Sequence, residues 1–227
     1  MPRITEERRE ARREQILDAA RACLLEHGLE KVSMEMIIAR SGLSTGAVYR
    51  YFKGKDEIIG AAVTASAREI GVAFAPILAG PSPGLPAQLV EKLLEAWVSY
   101  SISGVGPAAG VDRMPVAVHG WSYAQTDPDV MAALRANLRG FRERCVPLVK
   151  RWQDEGVVAA DADPDAVAQL MLSISLGFVA QRSLTGDAEA GAHASALAAL
   201  MRQPVPGDDR NDRGAGRTAP TAITDSR

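Results

Sequence analysis

The chain of 227 residues lacks several features that define other classes of protein. Its two cysteines, Cys23 and Cys145, are too few for a disulfide framework or a structural zinc site. Its three histidines, His27, His119 and His193, lie far apart without a metal-ligand spacing, so we expect no metal and no cofactor. The chain also shows no signal peptide and no apolar run of about 18 residues. We therefore expect a cytoplasmic protein that has no membrane partner.

Strand-forming patterns are also scarce. Aromatic residues make up only 5% of the chain, and no run of alternating β-branched residues predicts a strand. The hydrophobic content of 47%, rich in alanine and leucine, instead predicts an all-α globular protein. The net charge of -2 neither favours nor excludes nucleic acid, because charges within a Debye length of about 8 to 10 Å matter more than the total.

One stretch, Val32 to Lys55, has the layout of a helix-turn-helix. Ser33 is placed to cap a short helix, Gly42 to make a tight turn, and Ser44 to cap a second helix that runs through Phe52. The second helix presents short polar and aromatic side chains at Thr45, Ala47, Tyr49, Arg50 and Tyr51. Four positive charges accompany it, at Arg40, Arg50, Lys53 and Lys55. A basic strip beside such side chains is typical of a DNA-binding surface.

The rest of the chain is predicted to be helical up to a disordered tail. A first helix from Thr5 to Gly28 braces the helix-turn-helix, and the apolar spacing predicts further helices at about 55–75, 87–103, 112–126, 127–155, from 163 onward, and 188–201. Breaker residues separate these helices. We therefore predict a helix-turn-helix DNA-binding domain at 1–54, a helical ligand-binding and dimerisation domain at 55–202, and a disordered tail at 203–227.

In the first 60 residues or so, the chain resembles the tetracycline-repressor (TetR) family of bacterial transcriptional regulators. The resemblance rests on residues 15–20 (QILDAA), 27–28 (HG), Ser33, 39–52 (ARSGLSTGAVYRYF) and 55–59 (KDEII). It implies a homodimer that binds a palindromic double-stranded DNA operator, and a second domain that binds a small-molecule effector. The expected function is a ligand-responsive repressor that releases its operator when a largely apolar effector binds.

The resemblance also implies roles for individual residues of the helix-turn-helix. Thr45, Gly46 and Ala47 would lie at the floor of the major groove, and Arg50 could reach either a base or a phosphate. The phosphate contacts would come from Ser33, Tyr49, Tyr51 and Lys55, with Ser44 as a further DNA-binding residue. Core packing is an equally good interpretation of Tyr49, and a solvated salt bridge is the better one for Arg40. Ile38 stands where the family usually has a small alanine, which leaves the packing of the two helices open.

Two further sets of residues are candidates for the second domain. Apolar bulk with polar tips predicts an effector pocket at Trp97, Tyr100, Met114, His119, Trp121 and Tyr123, although ordinary core packing explains each residue equally well. Helical seams predict a dimer interface at Leu138, Phe141, Cys145, Trp152, Leu170, Ser173, Ile174, Gly177 and Phe178. Small Ser173 and Gly177 would allow a partner helix to approach closely.

Two other classes of function remain as alternatives. Gly42 to Gly46 matches the G-x-S-x-G pattern of a hydrolase nucleophile at Ser44, but that motif requires a preceding strand and here a helix is predicted. The glycine-rich stretch from Gly104 to Gly110 does not have the spacing of a dinucleotide loop. We therefore expect no catalytic residue. The other alternative is a ligand sensor that acts through a protein partner.

Overall fold

A computed structural model describes residues 6–80, 84–102 and 114–201. Within these ranges the secondary structure is entirely helical, which confirms the all-α prediction. The described helices are α1 Glu6–Lys31, α2 Met34–Ser41, α3 Thr45–Tyr49, α4 Lys55–Ala79, α5 Pro86–Ile102, α6 Met114–Ala124, α7 Pro128–Asp154, α8 Pro164–Thr185 and α9 Ala190–Met201. The predicted tail at 203–227 and the loop at 104–110 lie outside the described residues.

Side-chain caps begin several helices where the sequence predicts them. The Ser33 hydroxyl accepts a hydrogen bond from the Met36 amide, and the Ser44 hydroxyl accepts one from the Ala47 amide. Asp127 and Asp163 cap α7 and α8 in the same way, each followed by a proline in the first turn. The turn between α2 and α3 uses Gly42 in the left-handed region, with φ of 66°.

Three helix ends differ from the prediction. α1 continues to Lys31 past Gly28, its predicted end, where the backbone has non-helical φ and ψ of 71° and 170°. α3 ends at Tyr49 instead of Phe52, and α4 continues through Pro76 to Ala79 instead of ending near Ala75. A proline inside a helix removes one backbone hydrogen bond. Because Phe74 and Leu78, on either side of Pro76, are both buried, packing holds the last turn of α4 in place despite that loss.

The hydrophobic core has two parts, and α4 belongs to both. Its first turns place Ile58, Ile59 and Ala62 in the N-terminal core, together with side chains of α1, α2 and α3. Its second half places Ile70 and Phe74 in the larger core formed by α5, α7 and α8. The predicted domain boundary between residues 54 and 55 falls at the start of α4. This helix contributes side chains to both parts of the core.

A buried arginine fastens α1 to the middle of α4. Arg21 is only 2% exposed. Its guanidinium donates to Glu14 (2.5 Å), Asp18 (2.9 Å) and Glu69 (2.8 Å), and its Nε donates to the Ser66 hydroxyl (3.1 Å). Burial alone would lower the pKa of Arg21, but the carboxylates of Glu69 and Glu14 outweigh it and raise the pKa. The guanidinium is therefore a permanent charge that links the two cores.

Two helices, α4 and α8, are long and apolar enough to cross a membrane by length and composition. This differs from the expectation that the chain has no such apolar run. In the fold, both helices place apolar side chains in the protein core, among them Ile58 and Phe74 of α4 and Met171 and Phe178 of α8. Core helices of globular proteins pass the same length test, so their apolar content is accounted for by packing.

Candidate nucleic-acid interface and ligand cavity

The helix-turn-helix is held rigidly against α1. Gln15 of α1 donates from Nε2 to the Ser41 carbonyl at 2.6 Å, next to the turn. Val48 is fully buried and Phe52 is 3% exposed, so both belong to the N-terminal core. Ile37 is fully buried, and Ile38 packs half-buried against the same core. The larger side chain at Ile38 is thus accommodated with both helix caps and the turn intact.

The outer face of α3 presents the predicted base-reading residues to solvent. Thr45, Gly46 and Arg50 are exposed, and Ala47 is half-buried. Tyr49 is 52% exposed, so it is not a core residue. Tyr51 differs from Tyr49, since it is half-buried and packs against the N-terminal core. The structure therefore brings Thr45, Gly46, Tyr49 and Arg50 together on one exposed surface that no other described element covers.

The positive charges around α3 are not equivalent. Arg40 forms an ion pair with Glu26 of α1, and this hydrogen bond lowers the pKa of the Glu26 carboxyl. The pair is the salt bridge expected for Arg40. In the described part of the chain, Arg50, Lys53 and Lys55 have no ion-pair partner. These three cations are the ones free to face phosphates.

The geometry at Ser44 does not resemble a hydrolase nucleophile. The element before it is the helix α2, and its hydroxyl accepts the Ala47 amide at 3.3 Å as a helix cap. A nucleophile elbow requires a strand in that place. Among the described residues no group of three or more histidine, cysteine or acidic side chains is arranged to hold a metal ion.

A cavity of about 240 Å³ lies in the second domain, between α4, α5, α6, α7 and α8. Its lining is mostly apolar, with aromatic side chains from Trp97, Tyr100 and Trp121. Polar lining comes from Ser66, Gln125, Arg135 and Asn137, none of which the sequence predicted. They were missed because a polar residue on a helix becomes a cavity residue only through the crossing of other helices.

Half of the predicted pocket residues line this cavity. Trp97, Tyr100 and Trp121 do so, and the Trp97 indole also donates to the Ser175 hydroxyl of α8 at 2.8 Å. The other three lie outside this lining: Met114 is buried in the larger core, His119 is half-buried, and Tyr123 is buried in the N-terminal core. The Tyr123 hydroxyl donates to the Asp56 carbonyl at 3.0 Å and thereby joins α6 to the start of α4.

The predicted dimer residues also divide into two groups. Leu170, Ser173 and Gly177 are exposed on α8, and Ile174 is half-buried beside them. A second group packs inside the same chain, so the prediction that it faces a partner is corrected: Phe141, Cys145, Trp152 and Phe178 are all at most 4% exposed, and Leu138 lines the cavity. The 3 and 4 spacing on α7 describes its packing against α4 and α8 of its own chain.

Fold and site together define a helical protein with an exposed helix-turn-helix and a separate ligand cavity. Residues 16–62 match the family described as "Bacterial regulatory proteins, tetR family", and residues 86–203, more than half of the chain, match "BetI-type transcriptional repressor, C-terminal". The chain belongs to the TetR family. It is a ligand-responsive, DNA-binding transcriptional regulator, and members of this family are generally not enzymes.

Individual relatives agree with this assignment. The HTH-type transcriptional regulator UidR of Escherichia coli K12 is 23% identical over 189 residues, which cover 83% of this chain and 90% of UidR. The HTH-type transcriptional repressor Rv1474c of Mycobacterium tuberculosis is 40% identical over 58 residues, covering 26% of this chain and 31% of that repressor.

Solved structures show the same fold. Salmonella enterica GusR has a TM-score of 0.64 at 24% identity, with 88% of this chain and 97% of GusR covered. SmeT, the repressor of the Stenotrophomonas maltophilia multidrug efflux pump SmeDEF, has a TM-score of 0.60 at 23% identity, with 83% and 87% covered.

Proposed function

We propose that this protein is a repressor that binds a palindromic operator as a homodimer and releases it when an effector fills the cavity. The observation that carries the proposal is the exposed face of α3, where Thr45, Gly46, Tyr49 and Arg50 surround a surface with unpaired cations. Thr45 and Arg50 would read bases, because a hydroxyl and a guanidinium both match acceptors on base edges in the major groove. Such a protein would act in the cytoplasm, where its operator is.

The remaining contacts would position the protein on the DNA backbone. Tyr49 and Lys55 would bind phosphates, and α3 would approach the groove floor through small Gly46 and Ala47. Ser33 and Ser44 act first as caps that fix the two helices, and each would also contact a phosphate at the N-terminus of its helix. Tyr51 would support α3 from the core side.

The effector would be a small, largely apolar molecule in the 240 Å³ cavity. SmeT has been solved in complex with triclosan, a small molecule bound to a protein of the same fold. An engineered apolar cavity of about 150 Å³ holds benzene, so this one has room for a somewhat larger molecule. Filling it would displace α4, whose start belongs to the N-terminal core, and so move the recognition helices.

A second copy of the chain would cover the outer face of α8. Leu170 and Leu184 are 57% and 82% exposed there, with small Ser173 and Gly177 between them. Small residues between two leucines let a partner helix approach closely. Two recognition helices held about 34 Å apart would then enter successive major grooves.

Direct DNA binding tests this function. We expect Thr45→Ala and Arg50→Ala each to weaken binding to the promoter region beside the protein's own gene by about 5- to 150-fold, because each removes a base contact of about 1 to 3 kcal/mol. Fluorescence anisotropy with labelled duplexes at several salt concentrations measures this, and the affinity of the unaltered protein should fall steeply with salt.

Arg139→Ala provides the matched control, since Arg139 is an exposed arginine on α7, away from the helix-turn-helix. It should leave binding unchanged. Equal affinities for all four proteins would show that α3 does not read the operator.

A further inference from the structure

Helices α4 and α7 are joined by a hydrogen bond in the wall of the cavity. The Asn137 side chain of α7 donates from Nδ2 to the Ala67 carbonyl of α4 at 2.7 Å, and both residues line the cavity. Asn137 is only half-buried, so its amide remains within reach of a bound molecule. An effector therefore meets this link directly.

The link depends on a glycine one turn further along α4. A Cβ placed on Gly71 would lie 2.7 Å from Asn137 Nδ2, a separation that packed atoms do not adopt. Any larger residue at position 71 would force the Asn137 amide away from the Ala67 carbonyl. Gly71 is thus the residue that permits the contact.

Empty space lies on both sides of the Asn137 side chain. It lines the main cavity and also a smaller void of about 30 Å³ beside Gly71 and Phe74. Because its amide is bordered by voids instead of packed side chains, it can turn away from Ala67 without displacing the core. Exchange of this hydrogen bond for one to a ligand therefore has a small steric cost.

The charge of the wall restricts what the ligand can be. Among the described residues that line the two voids, Arg135 and Arg144 carry charge and no carboxylate is present. A cationic ligand would meet only like charge there, whereas an accepting oxygen meets the Asn137 amide and a positive potential. The wall favours an apolar body that ends in an oxygen acceptor.

Resting on the proposed function, we propose that the effector is an apolar organic acid. Its carboxylate replaces the Ala67 carbonyl as the acceptor of the hydrogen bond from the Asn137 amide, and this exchange separates α7 from α4. The separation frees the half of α4 that lies in the larger core. Its first turns and the Arg21 ion pairs then carry the movement to α1 and the helix-turn-helix. In this scheme Asn137 is a positioning residue for α4 and the contact that recognises the ligand.

The first test breaks the link without a ligand. Gly71→Ala should weaken operator binding by about tenfold in the absence of any effector, which is a typical size for coupling between two sites. Its melting temperature should change little, because the helix propensity that alanine adds offsets the loss of the hydrogen bond between Asn137 and Ala67. Gly140→Ala on α7 is the matched control, because its added Cβ meets only Arg144 Nη1 at an ordinary 3.9 Å.

The second test needs no DNA and so is independent of the proposed function. Octanoate and octylammonium have the same apolar chain, but only octanoate ends in an acceptor. We expect octanoate to change the tryptophan fluorescence of the full chain saturably, and octylammonium to bind about tenfold more weakly. Asn137→Leu should reduce this preference several-fold, whereas Arg139→Gln should leave it intact.

The two tests separate the possible failures. A full chain that binds octanoate but no promoter DNA would refute the proposed function and leave the ligand assignment standing. Operator binding by Gly71→Ala equal to that of Gly140→Ala would overturn the coupling through Asn137. Equal binding of the two probes, or no saturable change with octanoate, would overturn the ligand class.

Discussion

Individual side chains of this protein acquire their roles from exposure. Tyr49 and Tyr51 are two residues apart, yet Tyr49 is 52% exposed on the outer face of α3 whereas Tyr51 packs half-buried against the N-terminal core. Arg40 and Arg50 divide similarly, since Arg40 is paired with Glu26 and Arg50 extends to solvent. Residues of the same type therefore differ in whether they are available to DNA.

Cys145, in contrast to the exposed Tyr49 and Arg50, is a potentially reactive side chain that is fully buried. It has no exposed surface, and burial raises its pKa from 9.0 to about 12, with the nearby Arg144 lowering it by a smaller amount. The thiol is therefore protonated and unreactive at neutral pH. Its position on the inner face of α7 is that of a small apolar residue.

A pH prediction follows from this shift. A raised pKa favours the protonated thiol in the folded state, so the stability that it supports is intact below pH 9 and is lost as the pH rises toward 12. We expect Cys145→Ala, although less stable at neutral pH, to have a shallower loss of unfolding free energy in this window, by up to about 1.4 kcal/mol per pH unit. Urea unfolding at several pH values measures the slope, and identical slopes for the two proteins would contradict the prediction.

At the scale of elements, α4 is the helix through which the two halves of the protein communicate. Its start contributes to the N-terminal core, its middle binds Arg21, and its second half lines the cavity through Ala67 and Ile70. Ser66 takes part in two of these, because it lines the cavity and its hydroxyl accepts from Arg21 Nε. A shift of α4 at the cavity therefore bears directly on α1.

The Arg21 cluster should contribute measurably to stability. We expect Arg21→Met to lower the unfolding free energy by about 2 kcal/mol, because it removes several charged hydrogen bonds, while Glu14 and Glu69 remain partly solvated and tolerate the loss. Chemical denaturation measures the difference.

Arg9→Met on the same helix is the control for this substitution. Arg9 lies 3.9 Å from Glu6 and is 67% exposed, so its pair should contribute less than about 1 kcal/mol. If both variants lost the same stability, the Arg21 cluster would have no special role in joining α1 to α4.

At the scale of the whole molecule, helix α8 presents an apolar surface that no other described helix covers. This surface, the α8 face, consists of Leu170, Leu184 and the small residues Ser173 and Gly177. Leucines exposed by 57% and 82% in one row are unfavourable in water unless another surface covers them. A second copy of the chain would cover the α8 face symmetrically.

Charge on the α8 face should therefore separate the proposed dimer. We expect the double variant Leu170→Glu with Leu184→Glu to sediment as a monomer at micromolar concentration, because a self-complementary contact places each glutamate near its own copy. Its operator affinity should fall as the mass of the sedimenting species falls from that of a dimer to that of a monomer. Val72→Glu is the matched control, since Val72 is 67% exposed on α4, and analytical ultracentrifugation compares the three proteins. A dimeric double variant would place the interface elsewhere.

Local features of the fold were predictable from the sequence, whereas tertiary features of the site were not. Ser33, Gly42 and Ser44 act through hydrogen bonds within a few residues, so their types and spacing were sufficient to predict two caps and a turn. By contrast, α7 has an apolar stripe that fits either its own core or a partner. The spacing alone could not distinguish these, and Phe141, Cys145 and Trp152 proved to be core residues.

The sequence by itself determined the all-α class and the position of the helix-turn-helix, because caps, turns and helical periods arise from contacts between near neighbours. Only the tertiary structure decided that Arg21 joins α1 to α4 and that Asn137 meets Ala67 in the wall of the cavity. These partners are 48 and 70 residues apart in the chain. Their meeting depends on how whole helices cross, which no local pattern encodes.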